Sequence, residues 1–389
     1  MKTSRRQVIQ GAGGLAAAGV LGGSGLRSAV AAESLPNLPA KMIWSTYGKG
    51  SAGYVEASAV AQAMGKKYGT QVRLQPSGTA IGRIKPVIDG RVSHGWLANE
   101  LYFAVEGIYE YAAPDVGPQN LRTLMGRANS LSIAVTKTSG IKSLQELKGK
   151  RFAIARANSS VNVKVEPILA FAGLSWDDLD LVEFPSYGAT MKALIEGKAE
   201  AGGFAPSSAL LRELEASRYG IHWLALDPAN KEGWGRVKKV VPFVEPFHET
   251  IGAGLSEANP VWMLGYRYPM VTVQAGANAD EVYAMIKAIV ETFPMYKDVN
   301  KITPRWDVKR AGTPPMDAAF HDGAIRYLKE IGIWTAEHQA WQDGMLKRHG
   351  ALQAGWKELL AKTPNAKSLD IPGMQKLWMP RRAEILKSL

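Results

Sequence analysis

Residues 41–53 read KMIWSTYGKGSAG, an apolar run followed by a loop with three glycines. The apolar run has the composition of a strand, and a helical pattern of apolar residues follows the loop over residues 55–67. The next segments predict a second strand at 71–75, a short helix at 83–89 and a third strand at 95–98. This alternation of strand, loop and helix is typical of an α/β domain with a mainly parallel sheet.

The same alternation continues further along the chain. Strands are predicted at residues 131–135, 151–155, 181–184 and 201–204, and helices at 144–147, 161–172, 189–196 and 207–214. The segment 228–269 is rich in glycine and proline and is predicted to be irregular, with a returning strand at 271–273. Beyond residue 280 the pattern is almost wholly helical, including 323–332 and 335–361.

The length of the chain favours two lobes. After the first 32 residues about 357 remain, which is more than one compact core usually contains. We therefore predict a first lobe from residues 33–130 and 265–389, which includes a helical C-terminal tail. Residues 131–264 are predicted to form the second lobe.

Residues 1–32 have the order of an export signal. A charged start with the pair Arg5 and Arg6 is followed by a run of Gly, Ala and Leu and then by small residues up to Ala32. This order predicts a cleaved signal peptide, and the arginine pair indicates twin-arginine export. Ser24 and Arg27 interrupt the apolar run, which disfavours a permanent membrane span and leaves an amphipathic tail or uncleaved anchor as the alternative. We therefore expect the body of the protein in the periplasm.

Composition excludes several classes of protein. The chain contains no cysteine, which excludes a disulfide scaffold, an iron–sulfur cluster, a thiolate zinc site and a cysteine nucleophile. The histidines show no metal-ligand spacing and no G-x-S-x-G elbow is present, so neither a metal site nor an enzyme is predicted. The formal net charge is +12, of which the first 32 residues contribute four, and the basic residues are scattered. No nucleic-acid partner is therefore expected.

The first glycine-rich loop matches G-x-G-x-x-G between a strand and a helix, with Gly48, Gly50 and Gly53 in the three positions. A dinucleotide site also needs an acid at the end of the next strand, and residues 71–77 provide none. Arg73 could serve a 2′-phosphate. Three interpretations therefore stay open: a dinucleotide site, a helix cap without a ligand, and a helix-terminus site for a small ligand, which we favour.

Three further loops share this character. They cover residues 77–83, 156–160 and 185–190, and each offers small hydroxyl or amide side chains before a helix. Any one such loop is more often a helix cap than a binding site. Four of them at the carboxyl ends of strands, divided between two lobes, predict a ligand site at that edge of the sheet.

The chain resembles the TRAP-associated extracytoplasmic immunogenic (TAXI) solute receptors of TRAP transporters. The resemblance covers most of residues 40–330. It rests on motifs at residues 48–54, 77–82, 139–151, 197–201 and 320–327. Receptors of ATP-driven importers share the motif at 139–151, so a receptor of that kind remains an alternative, as does an exported NADP-dependent Rossmann oxidoreductase.

The resemblance implies a type II periplasmic binding protein, in which two α/β lobes close by a hinge motion on a small solute. Such a receptor delivers its solute to a TRAP permease in the inner membrane, has no cofactor and no catalytic activity, and is expected to be a monomer. The solute is expected to bear a carboxylate.

The predicted ligand-binding residues follow the four loops. They are Tyr47, Gly50, Ser51, Tyr54, Ser77, Thr79, Arg156, Asn158, Ser159, Ser160 and Phe204. Arg156 is the predicted carboxylate clamp, because arginine binds carboxylates through two parallel N–H groups. Arg83 is a second candidate for that role.

Overall fold

The computed structural model describes residues 33–241 and 244–389, and residues 33–389 form one compact unit. The predicted export signal at residues 1–32 lies outside the described residues. Within the described part of the chain, no helix is both long enough and apolar enough to cross a membrane.

The elements alternate as the sequence predicts. The strands are β1 (Lys41–Tyr47), β2 (Gln71–Ser77), β3 (His94–Leu97), β4 (Leu121–Val135), β5 (Arg151–Ile154), β6 (Asp180–Glu183), β7 (Ala201–Phe204), β8 (His222–Trp223), β9 (Glu245–Glu249) and β10 (Val261–Gln274). The helices are α1 (Ala52–Tyr68), α2 (Ala80–Ile88), α3 (Glu100–Glu106), α4 (Ser159–Phe171), α5 (Tyr187–Ile195), α6 (Leu210–Ala216), α7 (Lys231–Val240), α8 (Ala279–Glu291), α9 (Phe293–Tyr296), α10 (Val308–Ala311), α11 (Asp322–Glu330), α12 (Ala336–Lys362) and α13 (Ile371–Lys387).

One pattern of strands occurs twice. The first half of the sheet has the order β2-β1-β3-β10-β4, and the second half has the order β6-β5-β7-β4-β8. In each half the three short strands are parallel, and a long antiparallel strand lies beside the third of them. Each half therefore has the strand arrangement of an α/β lobe, and one large apolar core contains residues of both halves.

Two long strands connect the lobes. In β4, the segment 121–131 pairs with β10, whereas the segment 132–135 pairs with β7 of the second lobe. The strand β10 pairs with β9 at its start and with β3 of the first lobe near its end. Two strands that cross between lobes are a natural hinge. The predicted fold class is thereby confirmed: α/β, two-lobed, of the type II periplasmic binding protein kind, with a hinge and a helical C-terminal tail.

The prediction that residues 228–269 are irregular was wrong. This segment contains α7, β9 and the first part of β10, so the predicted strand at 271–273 is only the end of a longer one.

The strand β10 accommodates one proline and one glycine through its contacts with neighbouring strands. The pairing of β10 with β4 shifts register between Arg267 and Met270, where Pro269 has no ladder bond to lose. Gly265 lies where an added Cβ would be 2.8 Å from the Cβ of Phe247.

The helical tail is fixed to the first lobe through a buried carboxylate. Glu106, at the end of α3, is fully buried and receives hydrogen bonds from Arg348 of α12 and Arg382 of α13. The indole of Trp378 donates to the backbone carbonyl of Glu106 and packs edge-on against Trp356. The tail thus completes the core of the first lobe.

Candidate functional site

The four predicted loops follow β1, β2, β5 and β6, and each leads into a helix. Three of these helices are capped by a side chain of the loop. Ser51 accepts a hydrogen bond from the amide of Tyr54, Thr79 from that of Gly82 and Ser186 from that of Ala189. The fourth, α4, has no side-chain cap from Asn158, so the Asn158 side chain is available for another role.

The loops of the two lobes touch one another. The amide of Ala80 donates to the carbonyl of Ala157 (3.0 Å), and the amide of Ala209 donates to the carbonyl of Gly50 (2.9 Å). Gly78 is so close to the second lobe that an added Cβ would lie 2.7 Å from the Cβ of Ser186. A cavity of about 240 Å³ remains beside this contact, lined by Gly48, Lys49, Ser51, Gly78, Ser186, Tyr187, Gly188 and Met191. The cleft is therefore closed at this edge.

Behind the loops lies a buried arginine that contacts both lobes. The Nε of Arg83 donates to Glu100 (2.8 Å), and its Nη2 donates to the Oδ1 of Asn158 in the second lobe (3.1 Å). The guanidinium carbon lies 3.5 Å from the centre of the Tyr47 ring, a cation–π contact. Arg83, Glu100 and Asn158 are all fully buried.

Several polar atoms of this cluster have no hydrogen-bond partner among the described residues. They are Arg83 Nη1, Glu100 Oε2, Asn158 Nδ2 and the hydroxyl of Tyr111. Leaving a buried polar atom unpaired costs roughly 1–3 kcal/mol, and more for a charged group. Four such atoms in one cluster make this interface the candidate site for a polar ligand.

The charge state of Glu100 follows from its contact with Arg83. Burial acts to raise the pKa of the Glu100 carboxyl, but the charge and the hydrogen bond of Arg83 outweigh burial and hold that pKa below its usual range. Glu100 is therefore ionised at neutral pH and neutralises Arg83. Of the unpartnered atoms, Arg83 Nη1 and Asn158 Nδ2 are donors and the ionised Glu100 Oε2 is an acceptor, so the cluster offers two donors to an acceptor such as a carboxylate and one acceptor to a donor of the same ligand.

A second charged pair extends the cluster towards the hinge. Lys164 of α4 donates to Asn99 Oδ1 (2.9 Å), and Asn99 Nδ2 donates to Asp317 (2.5 Å). Burial lowers the pKa of Lys164 to about 7 and raises the pKa of Asp317 to about 7. Lys164 also donates to Ser160, which accepts a hydrogen bond from the Tyr47 hydroxyl at 3.4 Å. The pair thus joins the Arg83 cluster and responds to pH near neutrality.

The structure brings most of the predicted residues to this interface. Tyr47, Asn158 and Ser160 belong to the buried cluster, and Ser159 donates to Glu110 of the first lobe (2.5 Å). Phe204 packs behind Tyr187, with ring centres 6.0 Å apart. The remaining members lie in the loops where the lobes meet: Gly50, Ser51, Ser77 and Thr79.

Two predicted residues lie elsewhere. The Arg156 side chain is 62% exposed and forms a surface ion pair with Glu183 at 2.8 Å. It precedes α4 as predicted, but its side chain turns to solvent rather than into the cleft. Tyr54 lies on a face of α1 that lines a separate groove with Met295 and Val299.

Sequence reasoning ranked Arg83 below Arg156, yet a signal for Arg83 was present. In α2 the apolar residues Ala80, Ile84 and Val87 recur at helical spacing and are buried, and Arg83 falls on the same stripe. An arginine on a buried stripe needs polar partners inside the protein. The other residues missed in the cluster carried no comparable signal: Asn99, Glu100, Lys164 and Asp317.

The glycines of the G-x-G-x-x-G loop have roles in the protein's own packing. An added Cβ at Gly53 would lie 2.5 Å from the Tyr268 hydroxyl, which accepts a hydrogen bond from the Gly53 amide. Gly50 has a φ of +89°, and an added Cβ would lie 2.9 Å from Leu210 of the second lobe. Contacts within the chain thus explain two of the three glycines without a bound dinucleotide.

No group of three or more His, Cys, Asp or Glu residues suited to a metal ion occurs in the described residues.

Solved structures similar to this one include several binding proteins. A protein from Bordetella bronchiseptica RB50 is 17% identical, with 88% of this chain and 98% of that chain covered and a TM-score of 0.46. The alkanesulfonate-binding protein SsuA from Xanthomonas axonopodis pv. citri, bound to MOPS, is 15% identical over 85% of this chain and 96% of that chain, with a TM-score of 0.45. A structure described as a periplasmic transporter is 17% identical over 81% and 98% of the two chains, with a TM-score of 0.47.

Comparison with protein families identifies the family of this chain. Among proteins of curated function, none matches this chain. A family model matches residues 45–332, which include both lobes and the two strands that connect them. On this match, the chain belongs to the NMT1-like family.

Proposed function

We propose that this protein is an extracytoplasmic receptor that captures a small, carboxylate-bearing solute between its two lobes and delivers it to a membrane permease. The observation that carries the proposal is the pair of buried, unpartnered donors, Arg83 Nη1 and Asn158 Nδ2, one from each lobe. A carboxylate between them would bond to both lobes at once, so that binding and closure support each other. We assign the carboxylate clamp to Arg83, because Arg156 is exposed and already paired.

The permease is proposed to be of the TRAP type. This rests on the resemblance of the loop motifs at residues 48–54 and 77–82 to TAXI receptors. Neighbouring genes test it: a large fused TRAP permease supports the proposal, and an ATPase with a separate permease supports a receptor of an ATP-driven importer. The proposed location is the periplasm, reached through twin-arginine export with the Arg5–Arg6 signal, and the protein is proposed to be a monomer.

A thermal-shift screen tests the receptor function. A ligand that binds only the folded state raises the unfolding midpoint, by an amount that grows with its concentration relative to Kd. The panel contains dicarboxylates, amino acids, aromatic acids, sulfonates and NADP. We expect a shift of several degrees with at least one small carboxylate. A shift with NADP alone would contradict the receptor function and support an oxidoreductase.

The Lys164–Asn99–Asp317 chain predicts that affinity for a carboxylate falls as pH rises through neutrality. A bound carboxylate favours protonated Lys164 and protonated Asp317, so binding takes up protons when these groups have a pKa of about 7 in the free protein. Both groups act in the same direction. Affinity is greatest well below pH 7 and falls as pH rises through 7, by about tenfold or more between pH 6 and pH 8.

Calorimetry at pH 6, 7 and 8 checks this expectation with a carboxylate whose own pKa lies below 5. The charged neighbours do not change protonation between pH 6 and pH 8. Arg83 and Arg267 stay protonated because arginine loses its proton only far above this range. Glu100 stays ionised because Arg83 holds its pKa below the usual range. Asp317→Asn removes one of the two titrating groups and should make the fall shallower. An affinity that rises with pH would contradict the proposed place of the carboxylate.

A further inference from the structure

A second pocket lies between the lobes, on the side of the hinge strand β10. Its volume is about 540 Å³. One wall comes from β9 and the neighbouring residue 244, another from residues 309–317 of the first lobe, and residues 265–267 of β10 lie between them. None of the residues around Arg83 that offer unpartnered donors lines this pocket.

The pocket is rich in positive charge. Lys238, Arg267, Lys309 and Arg310 line it, against only two acids, Glu245 and Asp317. Arg267, Lys309 and Arg310 form no ion pair within 4.0 Å with any residue that the structure describes. One of the two acids, Asp317, is directed to Asn99 instead.

Arg267 is the most buried of the four cations that line the pocket. Its Nη1 donates to the carbonyls of Gly126 (3.1 Å) and Arg310 (2.9 Å), which fix the side chain without neutralising its charge. Burial lowers the pKa of Arg267, and Glu245 and Asp317 only partly oppose this effect. Arg267 is thus a half-buried cation whose two acidic neighbours do not offset the cost of burial, and an anion in the pocket would lower that cost.

The rest of the wall is apolar. Phe247, Pro315 and Met316 line the pocket together with the ring of Tyr266. A compact inorganic anion would leave this surface unused, whereas an anion with an alkyl or aromatic group would bury it. Apolar walls with a few placed polar groups are the usual composition of a site for an organic molecule.

We propose that this pocket is a second binding site, for an amphiphilic organic anion: a carboxylate or sulfonate that carries an apolar group. The anionic group pairs with Arg267, with Lys309 and Arg310 at the rim, and the apolar group lies against Phe247 and Met316. The site does not use Arg83 or Asn158. Asp317 lines this pocket and also accepts a hydrogen bond from Asn99 of the cluster in the cleft, so the proposal is tested through Arg267, Lys309 and Arg310, which are not part of that cluster.

Titration calorimetry with naphthalene-2-sulfonate tests the proposal on the purified protein, with inorganic phosphate as the compact anion. We expect the wild type to bind one naphthalene-2-sulfonate, and Arg267→Gln to weaken that binding by about tenfold or more, the loss typical of a charged hydrogen-bonded contact. Arg156→Gln is the matched control, since it removes one arginine charge from the surface, and it should bind the probe as the wild type does.

Three results would overturn the proposal. The first is no binding of naphthalene-2-sulfonate by the wild type at millimolar concentration, and the second is unchanged affinity in Arg267→Gln. The third is equal affinity for phosphate, which would exclude a role for the apolar wall. If Arg267→Gln does not fold, the exposed pair Lys309→Gln and Arg310→Gln provides the same test, with a weakening of about threefold to tenfold expected.

Discussion

Arg83→Gln is expected to weaken binding of the solute carboxylate by about 100-fold or more. Removing one partner of a buried, hydrogen-bonded charge pair typically costs 2–5 kcal/mol in binding, and each 1.4 kcal/mol is about tenfold in Kd. Glutamine keeps a donor near Asn158 but loses the charge and the free Nη1 group. The measurement is calorimetry with the carboxylate that gives the largest thermal shift.

Two further variants keep this result interpretable. Arg83→Gln leaves Glu100 buried without its cation, so a loss of folding stability is also expected and is measured by thermal unfolding. Asn158→Ala removes only the second donor and should weaken binding by about tenfold. Arg156→Gln removes an exposed arginine that is paired with Glu183 and should bind as the wild type does. A folded Arg83→Gln protein with wild-type affinity would refute the clamp.

Gly78→Val is expected to prevent full closure of the lobes. An added Cβ at this position would lie 2.7 Å from the Cβ of Ser186, and overpacking of this kind costs about 1–3 kcal/mol. Because the clash exists only when the lobes are closed, the variant should fold normally and lose about tenfold or more in solute affinity. Small-angle X-ray scattering should show a larger radius of gyration than the wild type in the presence of solute.

The matched control for closure is Gly188→Ala. This glycine lies in the second lobe near the same contact, but an added Cβ would be 3.8 Å from the nearest atom, Leu210 Cδ1, which is ordinary packing. Affinity and scattering should therefore match the wild type. If Gly78→Val binds the solute as tightly as Gly188→Ala, closure at this edge does not contribute to capture.

The fold was predictable where the signal is local. The apolar run at β1 and the glycine loop each lie within about ten residues and were recognised from the sequence, and a short helix was predicted at 83–89, where the structure has α2 from Ala80 to Ile88. The strand β10 was missed for most of its length because Gly265 and Pro269 interrupt its pattern. The neighbouring strands explain why both residues fit in β10. Phe247 of β9 lies close to Gly265, and the register against β4 shifts at Pro269.

The site was less predictable because the residues that form it are far apart in the sequence. Arg83 meets Glu100 after 17 residues but Asn158 only after 75, and Asn99 meets Asp317 after 218. Loop composition indicated the edge of the sheet where the loops of the two lobes meet, but it could not distinguish a buried arginine on α2 from an exposed one before α4. That distinction depends on which residues of the opposite lobe face each side chain.

A crystal structure of the protein with the carboxylate found in the screen tests the central claim most directly. The account predicts the carboxylate between the lobes, within hydrogen-bond distance of Arg83 Nη1 and Asn158 Nδ2, with Gly78 against Ser186. A solute bound elsewhere, with Arg83 Nη1 and Asn158 Nδ2 still unpartnered, would contradict it.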